Sequence, residues 1–551
     1  MNMETAKQAN AAIYFASEAY STGGSRLMGR HAAGEGFLRA WVRHGGSDPL
    51  WCYAASRQEA EAFAALCSEW GRGDTPVRWL PFGALGGLSD PGTLFYPGPQ
   101  VADMAWQRRR LGASAYSVVG VTHTISSHGA MDAVADMLLG PVEPWDALVC
   151  TSRAVVDSVR RLFAAEADYL KERLQAARIP QPTLALIPLG VDCAALTPDE
   201  EARRAWREKF GIGTEDIAFL FFGRLSYHAK ANPLPMYLAL EHAAQATGRR
   251  IHLIQAGWFA NTTLEAEFRD SARSLCPAVN TIFLDGREPA LRREIWHAAD
   301  AFISLADNVQ ETFGLTPIEA MAAGLPSVVS DWDGYKDTVR DGIDGFRIPT
   351  IVPPAGLGAD LAARHEDGLD NYDRYIGNAS LFVAVDIEAT KEACARLAAD
   401  ADLRRRMGAA ARERALAVFD WPVVIRQYQE LWGELAQRRA AAPASKPTLI
   451  ARPRRADPFW LFANYPSSTI GADSTINATG LDLAERREMR MLNYAGALLP
   501  DDATCARALD WLRGKESATA AELLAQFEPA ERPGLLRGLT WLAKLGVLRI
   551  G

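Results

Sequence analysis

In the stretch ETFGLTPIE, Glu311 and Glu319 stand eight positions apart on either side of the turn Phe313–Gly314–Leu315. An apolar run, AFISLA, precedes the turn, and a helical pattern follows it from Thr316 and Pro317, where proline is tolerated in a first turn. In that setting the backbone N–H groups of Phe313, Gly314 and Leu315 could face an anion or sugar hydroxyls, aided by the positive end of the helix dipole. A carboxylate accepts two hydrogen bonds side by side, so each acid suits a pair of vicinal hydroxyls. A first-turn acid also complements the dipole without any ligand, and Glu319 taken alone fits that reading equally.

A second constellation lies upstream, in IAFLFFGRLSYHAKANP. An apolar strand ends at Gly223 and delivers Arg224, with Lys230 six residues on. Ligands of open α/β sheets bind beyond the carboxyl ends of strands, where both cations fall. A guanidinium that grips two oxygens beside an ammonium suits a diphosphate; two solvated surface cations are the plainer alternative.

These groups need elements to hold them. The 551 residues predict about three domains. With 48% hydrophobic and 23% charged residues, the composition is that of an ordinary globular protein. A formal charge of −8 argues against general attraction to nucleic acid or anionic lipid. Seven scattered cysteines, without CxxC or Cys/His pairs, read as reduced structural thiols rather than disulfides or zinc ligands. No metal site is expected. No apolar run is long enough for a membrane span, and the N-terminus has no leader pattern, so the expected compartment is the cytoplasm.

Short apolar runs alternate with helical segments from Ala12 onward, pause near residues 193–210, and restart at IAFLFFGRLS. This is the rhythm of two parallel, doubly wound sheets. We divide the chain into a first Rossmann-like domain at 1–195, on the acceptor side, and a second at 196–418, on the donor side. A Pro/Gly/Asp-rich insertion at 351–381 interrupts the second domain; a crossover helix at 419–440, a linker at 441–458 and a mainly helical, winged-helix-like module at 459–551 follow. From Lys515 onward the module carries five Lys/Arg against four Asp/Glu, too few cations for nucleic acid. Packing, protein contact or self-association suits it better, and Leu536, Leu539, Leu542 and Leu545 read as its core.

Residues 219–224, Lys230 and above all ETFGLTPIEAMAAGLPSVVSDWDGYKDTVRDGIDGF resemble the C-terminal domain of retaining glycosyltransferases of family four, which have the GT-B fold. WDALVCTSRAV, IPLGVD and FDW at 419–421 extend the resemblance over roughly residues 12–435. It implies two facing Rossmann-like domains. It implies that Glu319 holds the ribose hydroxyls of a nucleotide diphosphate sugar, that Glu311 holds hydroxyls of the transferred sugar, and that Arg224 and Lys230 neutralise the diphosphate. By the family's spacing Gly29 is the glycine that meets the diphosphate from the first domain, with Gly24 as runner-up. His123, after an apolar strand of that domain, corresponds to a histidine facing the donor sugar. Ala231 replaces the family's usual glycine after Lys230, and Asp333–Gly334 replaces its Gly-Gly.

The activity implied is retaining, same-face transfer of a sugar to a hydroxyl acceptor whose identity the sequence does not name. It requires no cofactor beyond the nucleotide sugar substrate, and no protein nucleophile. Alternatives on the same scaffold are a nucleotide-sugar epimerase and a non-catalytic sensor acting through the C-terminal module. The run Arg108–Arg110 reads as a solvated helix face or as a contact for an acidic acceptor.

Overall fold

The computed structural model describes residues 9–20, 29–46, 49–443, 445–448 and 452–551. The first sheet contains β1 (Ala12–Phe15), β2 (Leu50–Ala54), β3 (Val77–Pro81), β4 (Thr93–Phe95), β5 (Ser117–Val121), β6 (Ala147–Cys150) and β7 (Thr183–Leu186), all parallel, in the order β3-β2-β1-β4-β5-β6-β7. The second contains β8 (Ile217–Phe222), β9 (Ile251–Gly257), β10 (Val279–Asp285), β11 (Ala301–Ser304), β12 (Ser327–Ser330) and β13 (Gly345–Ile348), also parallel, in the order β10-β9-β8-β11-β12-β13. Helices cover both faces of each sheet, so central strands such as β2, β5, β9 and β11 are buried along their whole length and read as unbroken apolar runs instead of alternating ones. The expected pair of Rossmann-like domains is thus observed.

Strand order matters for function. Each sheet reverses direction once, between β1 and β4 in the first and between β8 and β11 in the second. At such a switch point the loops leaving two neighbouring strands diverge and open a crevice. Arg224 leaves β8 and Glu311 lies in the loop leaving β11.

A helix at Trp421–Ala440 returns to pack on the first domain: Tyr428 meets the Phe37 ring at 4.9 Å, and Gln429 Nε2 donates to the Gly45 carbonyl at 2.8 Å. The segment 351–381 is ordered structure: β14 (Thr350–Ile351) pairs with β15 (Ala384–Val385), and between them stand helices Ala359–Glu366 and Tyr372–Ser380. The second helix is capped by Asn371, whose side chain accepts the Arg374 N–H. Pro, Gly and Asp in this segment mark the joints around two short helices.

Residues 453–551 form a separate compact unit. Its helices Asp502–Leu512, Ala520–Leu524 and Arg532–Lys544 cover a small antiparallel sheet of β16 (Thr475–Ala478), β17 (Ala518–Thr519) and β18 (Leu548–Ile550) in the order β17-β16-β18. Leu539, Leu542 and Leu545 are core, as read from sequence; the fourth anchor is Leu535, with Leu536 only partly buried. All seven cysteines are free and buried. No helix among the described residues is long and apolar enough to cross a membrane.

Arg108 corrects the reading of 108–110 as a solvated or acceptor-facing run. It is fully buried in a bidentate pair with Asp146, its Nη2 reaching Oδ2 at 2.8 Å and its Nη1 the Tyr116 carbonyl at 2.9 Å, while Asp146 Oδ1 also accepts the Val118 N–H at 2.8 Å. The pair ties the helix after β4 to the starts of β5 and β6, and one arginine in a surface-like triplet carries no sequence mark of this. Arg108→Met strands a buried carboxylate and is expected to cost about 3–5 kcal/mol, read as an earlier unfolding transition of the first domain in guanidinium.

Candidate functional site

The β8 and β11 loops meet through charge. Lys230 Nζ pairs with Glu311 Oε2, both side chains being less than one-fifth exposed. Burial pulls the ammonium pKa down, but the Glu311 carboxylate and the Tyr335 hydroxyl outweigh it and the net shift is upward. At Glu311 burial pushes the other way, and Lys230 with the N–H groups of Thr312 and Phe313 brings the net shift down. Both groups are therefore ionised across the neutral range. Arg224 reaches the Ala229 carbonyl at 2.7 Å and Gln310 Oε1 at 2.6 Å; burial lowers its pKa against the opposing pull of Asp373, Tyr372 and Glu311.

The turn after Glu311 is shaped by close approach. Gly314 has φ +85° and heads the helix Leu315–Ala322, and a Cβ there would fall 2.1 Å from the Tyr335 ring. A Cβ on Gly334 would fall 2.3 Å from Phe313 Cα. The loop after β12 thus lies directly on the Phe313–Gly314 turn, and Tyr335 is held there by a 2.9 Å hydrogen bond with Ser304. Phe313 itself is a core side chain, 1% exposed, and its N–H faces the Glu311 carboxylate. The N–H groups of Gly314, Leu315 and Thr316 remain at the head of the helix, where the helix supplies no acceptor for them.

Glu319 lies on the same helix with no hydrogen-bond partner for its carboxylate among the described residues. Burial raises its pKa to about 7, with Arg292 pulling back. Thr316 Oγ1, on the same helix, and Asp333 Oδ2, in the loop after β12, are buried and lack partners among the described residues. Asp333 has φ +43°, and burial, then the nearby Glu311 charge, holds its carboxyl well above the ordinary range. The departure from Gly-Gly here places a second acid, its pKa raised, near the ion pair.

The two Rossmann-like domains touch at named points. Ser152 Oγ lies 3.4 Å from Asp333 Oδ1, and the Arg153 N–H donates to Asp337 at 2.6 Å. The insertion supplies a third tie: the Tyr372 hydroxyl is 2.9 Å from Ser126 Oγ and 3.2 Å from Thr124 Oγ1 in the first domain, and accepts from Gln310 Nε2 at 3.1 Å. His365 of the insertion stacks on His128 at 3.7 Å.

Of the residues expected from sequence, Glu311, Lys230, Arg224, Gly314, Leu315 and Glu319 gather at the β8/β11 crevice. His123 follows β5, with Nε2 3.2 Å from the Pro97 carbonyl; it lines a mainly apolar cavity of about 20 Å³ with Phe37, Trp421 and Tyr428. Gly29 is the first residue of the helix that follows β1. Gly24 lies outside the described residues. Sequence reasoning missed Gln310, Tyr335 and Tyr372. The YKDT helix after SDWDG offered a signal for Tyr335, whereas Tyr372 sits in an insertion with no local motif.

Residues 202–353 match the family model described as Glycosyl transferases group 1. The matched segment holds Arg224, Lys230 and both glutamates. The chain is 31% identical over 226 residues to a D-inositol 3-phosphate glycosyltransferase of Geodermatophilus obscurus, covering 40% of this chain and 49% of that protein. It is 27% identical over 226 residues to the enzyme of the same name from Xylanimonas cellulosilytica, covering 39% and 49%. The chain thus spans about half the length of these curated relatives. Among solved structures it is similar to Anabaena Alr3699/HepE in complex with UDP (15% identity, 77% of this chain and 99% of that one, TM-score 0.46) and to sucrose-phosphate synthase from Thermosynechococcus elongatus (15%, 78% and 100%, TM-score 0.46).

Two outcomes follow from this geometry. Because Glu319 has a folded pKa of about 7, above its unfolded value, its own contribution to stability is fully present below the unfolded pKa and is lost as pH rises to 7. Glu319→Gln should therefore match wild type near pH 4 and exceed it by on the order of 1 kcal/mol at pH 8, measured by denaturant titration at each pH. Tyr372→Phe removes two hydrogen bonds across the domains, to Thr124 and Ser126, and a third to Gln310 within the second; it should raise hydrogen exchange in segments 122–127 and 372–380 while leaving both sheets unchanged.

Proposed function

We propose that the protein is a retaining glycosyltransferase that moves a sugar from a nucleotide diphosphate sugar to a hydroxyl acceptor. The observation that carries this reading is a crevice at the β8/β11 switch point holding two cations, a largely buried carboxylate paired with one of them, and a second, partly buried carboxylate with no hydrogen-bond partner among the described residues. A diphosphate needs cations and N–H groups, a hexose and a ribose each need a hydroxyl acceptor pair, and the site offers all four in a fixed order along two loops.

In this reading the diphosphate lies between Arg224, Lys230 and the head of the helix Leu315–Ala322, with Gly29 approaching from the first domain. Glu319 takes the ribose hydroxyls and Glu311 those of the sugar. The bond between the anomeric carbon and the phosphate oxygen breaks toward an oxocarbenium-like state, and the charge that develops on the diphosphate is met by groups already in place. The acceptor oxygen bonds to the anomeric carbon on the face the phosphate leaves, and its proton passes to the departing phosphate oxygen. No protein nucleophile and no metal cofactor enter this scheme. His123 steadies the first-domain wall of the cleft, and Tyr372 holds the domains together around the substrates. The C-terminal unit serves protein contact or self-association, and the enzyme works in the cytoplasm.

Acceptor chemistry is approached through the relatives: D-inositol 3-phosphate belongs in a test panel beside simple glycosides. With UDP-, GDP-, ADP- and TDP-sugars as donors, at least one should be turned over, with the anomeric configuration retained when product is read by proton NMR. Glu319→Ala should weaken binding of the matching nucleoside diphosphate by about tenfold or more, the worth of a hydroxyl pair held in a buried site. No donor bound from the panel, or unchanged nucleotide affinity in Glu319→Ala, would refute the reading.

A further inference from the structure

A second concave site, of about 330 Å³, lies between the insertion and the second domain. Its walls come from the loop after β8, through Tyr227, His228 and Asn232, and from the helix Tyr372–Ser380, through Asp373 and Asn378; Asp307 from the loop after β11 lies at its floor. None of Arg224, Lys230, Glu311 and Glu319 lines it. It exists because the insertion docks here: Asn308 Nδ2 donates to the His228 carbonyl at 2.7 Å and to the Ile376 carbonyl at 3.4 Å, joining both walls next to the floor.

Asp307 is the feature that structural packing leaves unexplained. It is only 4% exposed. Its Oδ2 accepts the Asn232 N–H at 3.2 Å, while Oδ1 has no partner among the described residues. A buried carboxyl oxygen left unmatched costs stability, and burial accordingly raises this carboxyl to about 7. Asp307 lines an open cavity of this size, and a small rotation of its carboxyl would bring the unmatched oxygen to a ligand hydroxyl there.

The lining selects the ligand. Carboxyl and amide groups present paired acceptors and donors for neighbouring hydroxyls, and the Tyr227 ring, 40% exposed, offers a flat apolar face. Asp373 and Arg374 bring opposite charges to the lining and offset each other. No group of three or more acidic, His or Cys side chains suited to a metal occurs among the described residues. We propose that this pocket is a second carbohydrate-binding site that takes a neutral pyranose, either a free sugar or a non-reacting unit of a glycan, through Asp307 and Asn378 with its ring against Tyr227. The inference stands apart from the donor-site reading, since the pocket shares no residue with that site.

The test uses the full chain. Glucose, galactose, mannose and N-acetylglucosamine, with their methyl glycosides and a disaccharide of each that binds, are titrated by saturation-transfer NMR with and without saturating nucleoside diphosphate. At least one pyranose should bind, its signal should persist when nucleotide is present, and both Asp307→Asn and Asn378→Leu should weaken it by about tenfold or more. Asn378→Leu also removes the bond that Asn378 Nδ2 donates to Asp370 Oδ2 at 3.1 Å, so Tyr227→Ala, at a ring 40% exposed, is a third variant: it should weaken the sugar signal with nucleotide affinity at the wild-type value, which keeps the result readable if either of the others folds poorly. A disaccharide that binds more tightly than its monosaccharide assigns the site to a glycan, and equal affinity assigns it to a free sugar. Absence of binding by every pyranose, displacement of the sugar by nucleotide, or equal affinity in the folded variants would overturn the inference.

Discussion

The buried Lys230–Glu311 pair is the interaction on which the site depends. Neither charge is tolerable at this depth without the other, and a buried pair broken from one side typically loses several kcal/mol. Its two ends belong to loops leaving β8 and β11, strands that are adjacent in the sheet but far apart in sequence. The pair therefore locks the switch-point crevice. Tyr335, which hydrogen-bonds the ammonium, and the close approach of Gly334 to Phe313 then hold the pair's surroundings in place. Arg224, the helix head and Glu319 take their positions around a charge centre that is already set.

That arrangement keeps capacity in reserve. Asp333 stands near the pair with its pKa raised by burial, and Glu319, raised to about 7, has no hydrogen-bond partner among the described residues. Groups held this way cost the empty protein some stability, and their use is expected when a ligand supplies the missing partners. The insertion adds a further level, because Tyr372 reaches the first domain from one side of its helix while Asn378 helps enclose the Asp307 pocket. Occupancy of that pocket and the grip between domains thus run through one nine-residue helix.

Much of this was legible in the sequence. Parallel strands buried on both faces leave unbroken apolar runs, so the two-sheet organisation could be read from runs such as IAFLFF and AFISLA, while less buried strands such as β3 and β7 leave no such run. The Glu-FGL-Glu spacing marked the crevice because a strand, a tight turn and a helix must follow one another there for any chain to place two acids so. What stayed hidden depends on contacts distant in sequence. Arg108 looks like its neighbours until Asp146 arrives from another strand, and the residues of the insertion acquire meaning only when its helix docks on two domains. Phe313 was read through its N–H group, whereas its ring serves the core and its N–H serves Glu311.

The most direct test compares nucleoside diphosphate affinity, by calorimetry, in wild type, Lys230→Met, Glu311→Gln and the double variant. If the pair is the charge centre of a diphosphate site, Lys230→Met should lose about a hundredfold in affinity, while Glu311→Gln, which frees the ammonium, should bind the diphosphate at least as tightly as wild type. Wild-type affinity in Lys230→Met would contradict the account.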